Sequence, residues 1–143
     1  MRRRSKKTDL AWVAGLIDGE GCLHAGRNNG NNGRYLGLHL TVQMCDRRAV
    51  KNIHRIAAIG TVRLLKPSGP TRRPLWKWCS SSQQAATFLE AILPYMVTKK
   101  PQAVLFIRLA REQKGKLNQR LTEQRTKFQD RLIKRIKDLK RVS

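Results

Sequence analysis

Acidic side chains are scarce in this chain: nine Asp and Glu stand against 31 Lys and Arg, a formal net charge of +22 over 143 residues. Such an imbalance repels itself and is relieved by binding an abundant anion. Nucleic acid is the first candidate. A membrane surface, an acidic protein or the setting of a ribosomal-type basic protein would suit the charge as well, so it indicates a partner class and not an activity. Cysteine is also sparse. Cys22, Cys45 and Cys79 are odd in number, far apart and without CxxC spacing. That pattern argues against a disulfide framework or a paired zinc site and for reduced residues of an intracellular protein. The three histidines have no catalytic spacing, so none is read as a general base.

No membrane span is expected. The basic start MRRRSKK followed by LAWVAGLI imitates a secretory signal. However, Asp9 and Asp18 bound the apolar run, no small-x-small cleavage pattern follows it, and it falls far short of the ~20 residues that cross a bilayer. The length suits one domain with a single core rather than two.

Periodicity orders the elements. Thr8 or Asp9 can cap a helix carrying Leu10, Val13, Ala14, Leu16 and Ile17 that ends at Gly19 and Gly21. Being apolar nearly all round, it should be buried. Tyr35 to Val42 alternates between Leu36, Leu38, Leu40 and Val42 on one side and Gly37, His39 and Thr41 on the other, the mark of a half-buried strand. Asn-Gly pairs in Asn28 to Gly33 suit a hairpin turn back to a strand over 22–27. Asp46 can cap a helix through Val50, Ile53, Ile56 and Ala57 that Gly60 stops. Thr61 to Lys66 and Leu75 to Ser80 flank a Pro- and Gly-containing turn, with Trp76 and Trp78 read as core packing. A helix from Ser81 or Ser82 runs to Pro94, and Pro101 opens another through Ala103, Leu105 and Leu109. The order predicts an α+β fold, αββαββα, with a four-stranded antiparallel saddle sheet, helices on one face and the other face left for a ligand. Residues 1–8 form a basic arm, 9–111 the domain, and 112–143 a basic extension read as amphipathic helix packed on the body.

The first helix ends in Asp18 and Glu20 beside the negative end of its own dipole, an arrangement that calls for a bound cation; carboxylate oxygens suit Mg²⁺. Gly15 and Gly19 cost about 1 kcal/mol each relative to Ala inside a helix. Their small-xxx-small spacing allows a second helix to approach closely.

Val13 to Gly21, VAGLIDGEG, resembles the LAGLIDADG motif of the homing endonucleases. Ala14, Gly15, Leu16, Ile17, Asp18, Gly19 and Gly21 match it in type and order, Gly19 standing where the motif has Ala, and the order of elements agrees over residues 9 to about 111. The resemblance implies a homodimer whose motif helices pack about a twofold axis through Ala14, Gly15, Asp18 and Gly19. It implies divalent metal, Mg²⁺ or Mn²⁺, held by Glu20 with the Gly19 carbonyl, and Asp18 in a structural role. It makes Lys99 the basic residue near the scissile phosphates, with Lys100 as competitor. The Gln that relatives place after the second strand has Met44 nearest its position, with Gln43 on the opposite strand face. The implied activity is a staggered double-strand break in a long, partly palindromic DNA site, which initiates copying of an intron or similar element wherever the host genome resides. An RNA-binding maturase acting on intron RNA, or a metal-free DNA-binding regulator, would use the same fold.

Since an antiparallel ribbon fits the major groove, the sheet side opposite the leucines is the expected reading surface, carrying His24, His39, Thr41, Arg63 and Lys77, with Cys22 near its catalytic end. Arg34, Arg47, Arg48, Arg72 and Arg73 are expected on phosphates, where contacts position without reading sequence.

Overall fold

The alternation between Tyr35 and Val42 becomes an inner strand of the structure, a computed structural model that describes residues 6–28, 35–67, 69–70, 73–116 and 121–142. The elements are α1 (Lys7–Glu20), β1 (Gly21–Asn28), β2 (Tyr35–Met44), α2 (Arg47–Ala57), β3 (Thr61–Leu65), β4 (Leu75–Ser81), α3 (Ser82–Ile92), a 3₁₀ turn (Leu93–Tyr95), α4 (Lys100–Gln113) and α5 (Glu123–Val142). The strands form one antiparallel sheet in the order β1-β2-β4-β3. Leu23, Ala25, Leu36, Leu38, Leu40, Val42 and Trp78 are buried together with Val13, Ile17, Ile53, Leu89 and Phe106 from the helices, so the helices cover one sheet side. The αββαββα order is as expected. The Asn-Gly turn, Arg34 and Arg72 lie outside the described residues.

Trp78 ties β4 to α3 and to the connection between α2 and β3. Its ring is buried edge-on against Phe88, with centroids 6.0 Å apart, and its indole N–H donates to the Ile59 carbonyl at 3.0 Å. A buried indole requires such an acceptor. Gly60 allows that approach: a Cβ there would stand 2.5 Å from the Cys79 carbonyl oxygen and 2.8 Å from the Trp78 nitrogen.

Several expectations are corrected. The α1 helix starts at Lys7 after an extended Lys6 that makes no side-chain cap, so Thr8 and Asp9 lie in its first turn, where Asp9 favours the positive dipole end. Gly60 does not stop α2; Ala58, at φ 56°, takes the left-handed position, and its amide donates to the His54 carbonyl. Asp46 does cap α2, accepting from the amides of Arg48 at 2.9 Å and Ala49 at 3.4 Å. Those hydrogen bonds, the Arg48 amide first, hold its carboxyl below the ordinary carboxylate value.

The basic extension is part of the body. The expected division after residue 111 falls inside α4, and Leu132, Ile133 and Ile136 of α5 join the common core. Glu112 of α4 accepts from Arg125 at 2.6 Å and Gln129 at 2.7 Å, and Arg27 of β1 pairs with Asp130 at 2.9 Å. These charge-assisted bonds fix α5 to both α4 and β1. Among the described residues no helix is long and apolar enough to cross a membrane.

Candidate cleavage centre and nucleic-acid interface

The end of α1 is locked by two reciprocal contacts. Both Asp18 oxygens accept main-chain amides ahead of α4, Oδ2 from Val97 at 2.8 Å and Oδ1 from Lys99 at 2.9 Å. In return the Lys99 ammonium donates to the carbonyls of Ile17 at 3.2 Å and Asp18 at 3.1 Å. The helix has no basic residue in its own last turn, so Lys99 brings a cation from elsewhere to its negative end. Pro101 sits in the first turn of α4, and Lys99 immediately precedes that helix. Lys100, one position on, is exposed and makes no such bond.

Glu20 differs from Asp18 in every respect. It is exposed and has no hydrogen-bond or ion-pair partner among the described residues. The chain turns directly from Glu20 into β1 through Gly21, whose amide donates to the Ile17 carbonyl. A Cβ at Gly21 would lie 2.7 Å from that carbonyl oxygen, so here glycine serves close approach. Gly15 and Gly19 are exposed, with nothing within 4 Å of where a Cβ would stand. Nothing among the described residues requires glycine at either place. Ala11 and the 41% exposed Trp12 continue this side of α1. The helix is therefore not buried all round. Ala14, expected on the twofold interface, is fully buried in the chain's own core, because it shares the side of Val13 and Ile17.

The sheet side away from the helices is polar and open. Strand register lines up Cys22, Thr41, Cys79 and Thr61 in one row, and Gln43, Lys77 and Arg63 in the next. His24 and His39 form a cross-strand pair, with ring centroids 6.1 Å apart. His24, His39, Gln43 and Arg63 are exposed, and Thr41 and Lys77 are half-buried. At one end of β2, Arg47 lies 4.8 Å over the Trp76 ring, a cation–π contact that holds the guanidinium at the surface. Arg48 is exposed beside Asp46, and Arg73 is exposed ahead of β4. Lys140 of α5 reaches Cys22 Sγ at 3.8 Å, bringing the helix's last turns next to the outer strand.

No protein-family model and no curated protein matches the sequence. Solved structures do match. The homing endonuclease I-CvuI in complex with its target is 22% identical and superposes with a TM-score of 0.77 over 92% of this chain and 82% of that one. The homing endonuclease I-TnaI is 19% identical, TM-score 0.67, over 96% and 95% of the two chains. The LAGLIDADG meganuclease I-AabMI bound to uncleaved DNA is 18% identical, TM-score 0.65, over 87% of this chain and 43% of that longer one.

This chain has the LAGLIDADG homing endonuclease fold.

Within that fold the motif residues divide by direction: Val13, Ala14 and Ile17 into the core, Asp18 into the 97–99 segment, and Gly15, Gly19 and Glu20 outward. The structure brings Lys99 to the end of the motif helix and gathers His24, His39, Thr41, Arg63 and Lys77 on one sheet side. Met44 is half-buried on the core side, whereas Gln43 stands on the open side opposite Lys77. Sequence reasoning misses that Lys137 and Lys140 of α5 stand beside the open sheet side. Their amphipathic spacing announces only packing; nothing local reveals that the helix runs along β1 and ends beside Cys22 and His24.

Proposed function

We propose that the chain is a member of the LAGLIDADG homing endonuclease family and acts as a homodimer that makes a site-specific double-strand break in DNA with the help of divalent metal. The observation that carries this reading is the outward side of α1, where an exposed, unpartnered Glu20 follows two glycines that face open space. A second copy placing its α1 against Gly15 and Gly19 would bring two Glu20 carboxylates together. Such a pair is repulsive without a cation between them. The match to 43% of I-AabMI supports the same arithmetic, since one copy of this chain corresponds to less than half of that protein.

The donor set fits Mg²⁺ or Mn²⁺ as half of a site. Glu20 and the Gly19 carbonyl offer oxygen, the donor type hard divalent cations prefer. Glu20 of the second protomer would supply the other half of the set. A cation held there supplies the chemistry of an activated water and of charge stabilisation at phosphorus and the departing 3′ oxygen. Asp18 fixes the helix end that carries Glu20. Lys99 commits two donors to main-chain carbonyls and keeps its third N–H for a phosphate oxygen. The open sheet side, with His24, His39, Thr41, Gln43, Arg63 and Lys77, reads base edges in the major groove, while Arg47, Arg48 and Arg73 contact phosphates.

The test is cleavage. An uninterrupted copy of the locus carrying the gene, as duplex DNA, should be cut in Mg²⁺ and left whole with chelator. Binding should weaken steeply with salt, with a log-log slope of roughly −0.9 for each phosphate neutralised. A salt-independent affinity, or cutting undiminished by chelator, contradicts the proposal.

A further inference from the structure

On the open side of the sheet, the His24–His39 pair has an unusual setting. The rings are nearly parallel, with 22° between planes. The next cross-strand pair on the same side is Gly26 with Gly37. A Cβ on Gly26 would lie 3.2 Å from His24 Nε2, and one on Gly37 would lie 3.4 Å from His39 Nε2. Both imidazoles therefore lean over bare backbone, and larger residues at these glycines would push them away.

Among the described residues, the charged side chains that act on His24 from outside the pair are lysines. From α5 come Lys140 and Lys137, from the same strand Cys22, and from β4 Ser81, which is opposite His39. Asp138 in the same α5 turn is exposed and makes no hydrogen bond to either ring, while α1 and α4 meet β1 from the core side. Burial first, then Lys140, His39 and Lys137, holds the His24 imidazole below its ordinary value of 6.5. In the free protein the surroundings thus disfavour the charged ring, although it lies on a surface suited to a polyanion.

Resting on the DNA-binding reading above, we infer that the His24–His39 pair is a proton-coupled DNA contact, taking up a proton from solvent when a duplex docks on this side of the sheet. Duplex phosphates oppose the field of Lys137 and Lys140 and favour the imidazolium. A protonated ring donates from both nitrogens, which suits phosphate oxygens and other acceptors on the duplex. The rings face each other across the stack, so a charge on one disfavours a charge on the other and about one proton per pair is taken up on binding. A pKa raised by binding adds affinity that is fully present below the free value and is lost as pH rises through the bound one. DNA affinity should therefore grow as pH falls.

Titration calorimetry of the full chain with a mixed-sequence DNA duplex, in Ca²⁺ and in two buffers of different ionisation heat, reads this uptake directly. The inference expects about one proton per protomer near pH 6.5, and binding that tightens up to about tenfold per pH unit for each proton. Lys140→Gln should move the pH dependence upward, and the double substitution His24→Asn with His39→Asn should remove it. Duplex binding by the wild-type chain with no proton uptake overturns this inference alone, as does uptake that survives the double substitution. No duplex binding at any pH overturns the nuclease reading and this inference with it.

Discussion

The inward side of α1 presents Val13, Ala14 and Ile17 to the core and gives both Asp18 oxygens to main-chain amides, whereas the outward side carries Trp12, Gly15, Gly19 and Glu20 in the open. One helix thus serves two kinds of requirement. On its inner side Val13, Ala14 and Ile17 are fully packed and both Asp18 oxygens are satisfied, as stability demands. On its outer side glycines cost helix propensity, an aromatic ring is exposed, and a carboxylate sits at the unfavourable dipole end. Among the described residues these costs have no return, and under the dimer proposal that difference separates residues serving the fold from residues serving an encounter.

The largest effect expected is on cutting. Glu20→Gln should lower the cleavage rate by at least about a hundredfold, since even residues that merely support a metal ligand cost 10- to 100-fold. Its unfolding temperature and duplex affinity should stay near wild type, and a folding defect would blur the two sides of the helix. Asp18→Ala reverses the pattern. It strands the Val97 and Lys99 amides and should cost about 2 kcal/mol in denaturant unfolding, within the range for hydrogen bonds to charged groups. An unchanged midpoint would remove Asp18 from the structural side.

A smaller effect is expected at Gly15. Because a Cβ there meets nothing within 4 Å, Gly15→Leu should leave the folded chain intact and favour its helix. It should nevertheless raise the dimer dissociation constant by about tenfold or more, equivalent to about 1.4 kcal/mol. Sedimentation at several concentrations checks this, and an unaltered dimer would place the interface elsewhere.

The smallest effect concerns how α5 is held. Burial raises the Glu112 carboxyl, but the hydrogen bonds from Arg125 and Gln129 and the Arg125 charge outweigh it and hold the group below its ordinary 4.5. A carboxyl lowered in the folded state contributes stability that is present above 4.5 and lost as pH falls through the folded value. The protection of α5 amides, taken relative to the intrinsic exchange rate at each pH, should fall on acidification into that window. Glu112→Gln should show the faster exchange at neutral pH already, and equal protection in the two proteins would contradict this anchor.

Much of the fold is legible in the sequence where one side of an element is apolar and the other is not. Tyr35 to Val42 alternates cleanly, so its buried leucines and its open histidine and threonine follow from the pattern alone. The α1 helix is harder, since apolar residues and glycines occur all around it; the motif suggests an outward Ala14, yet that residue points in. The left-handed end of α2 falls on Ala58 and not on the nearby Gly60, because the close approach of Trp78 and the Cys79 carbonyl decides where glycine is needed. Local propensity carries no trace of such a tertiary contact. The same holds for Lys99, whose tie to α1 spans 81 residues to Asp18, and for Lys140, which meets Cys22 across 118.

The most direct test of the central claim, a cleavage centre assembled from the outward sides of two α1 helices, is a subunit-mixing experiment on a duplex that the wild-type chain cuts. Wild-type and Glu20→Gln protomers are exchanged at varied ratios, and double-strand cutting is measured at constant total protein. With equal amounts, about a quarter of the dimers carry two Glu20 residues, so cutting should fall to about a quarter and follow the square of the wild-type fraction. Cutting in simple proportion to the wild-type fraction would contradict a shared centre.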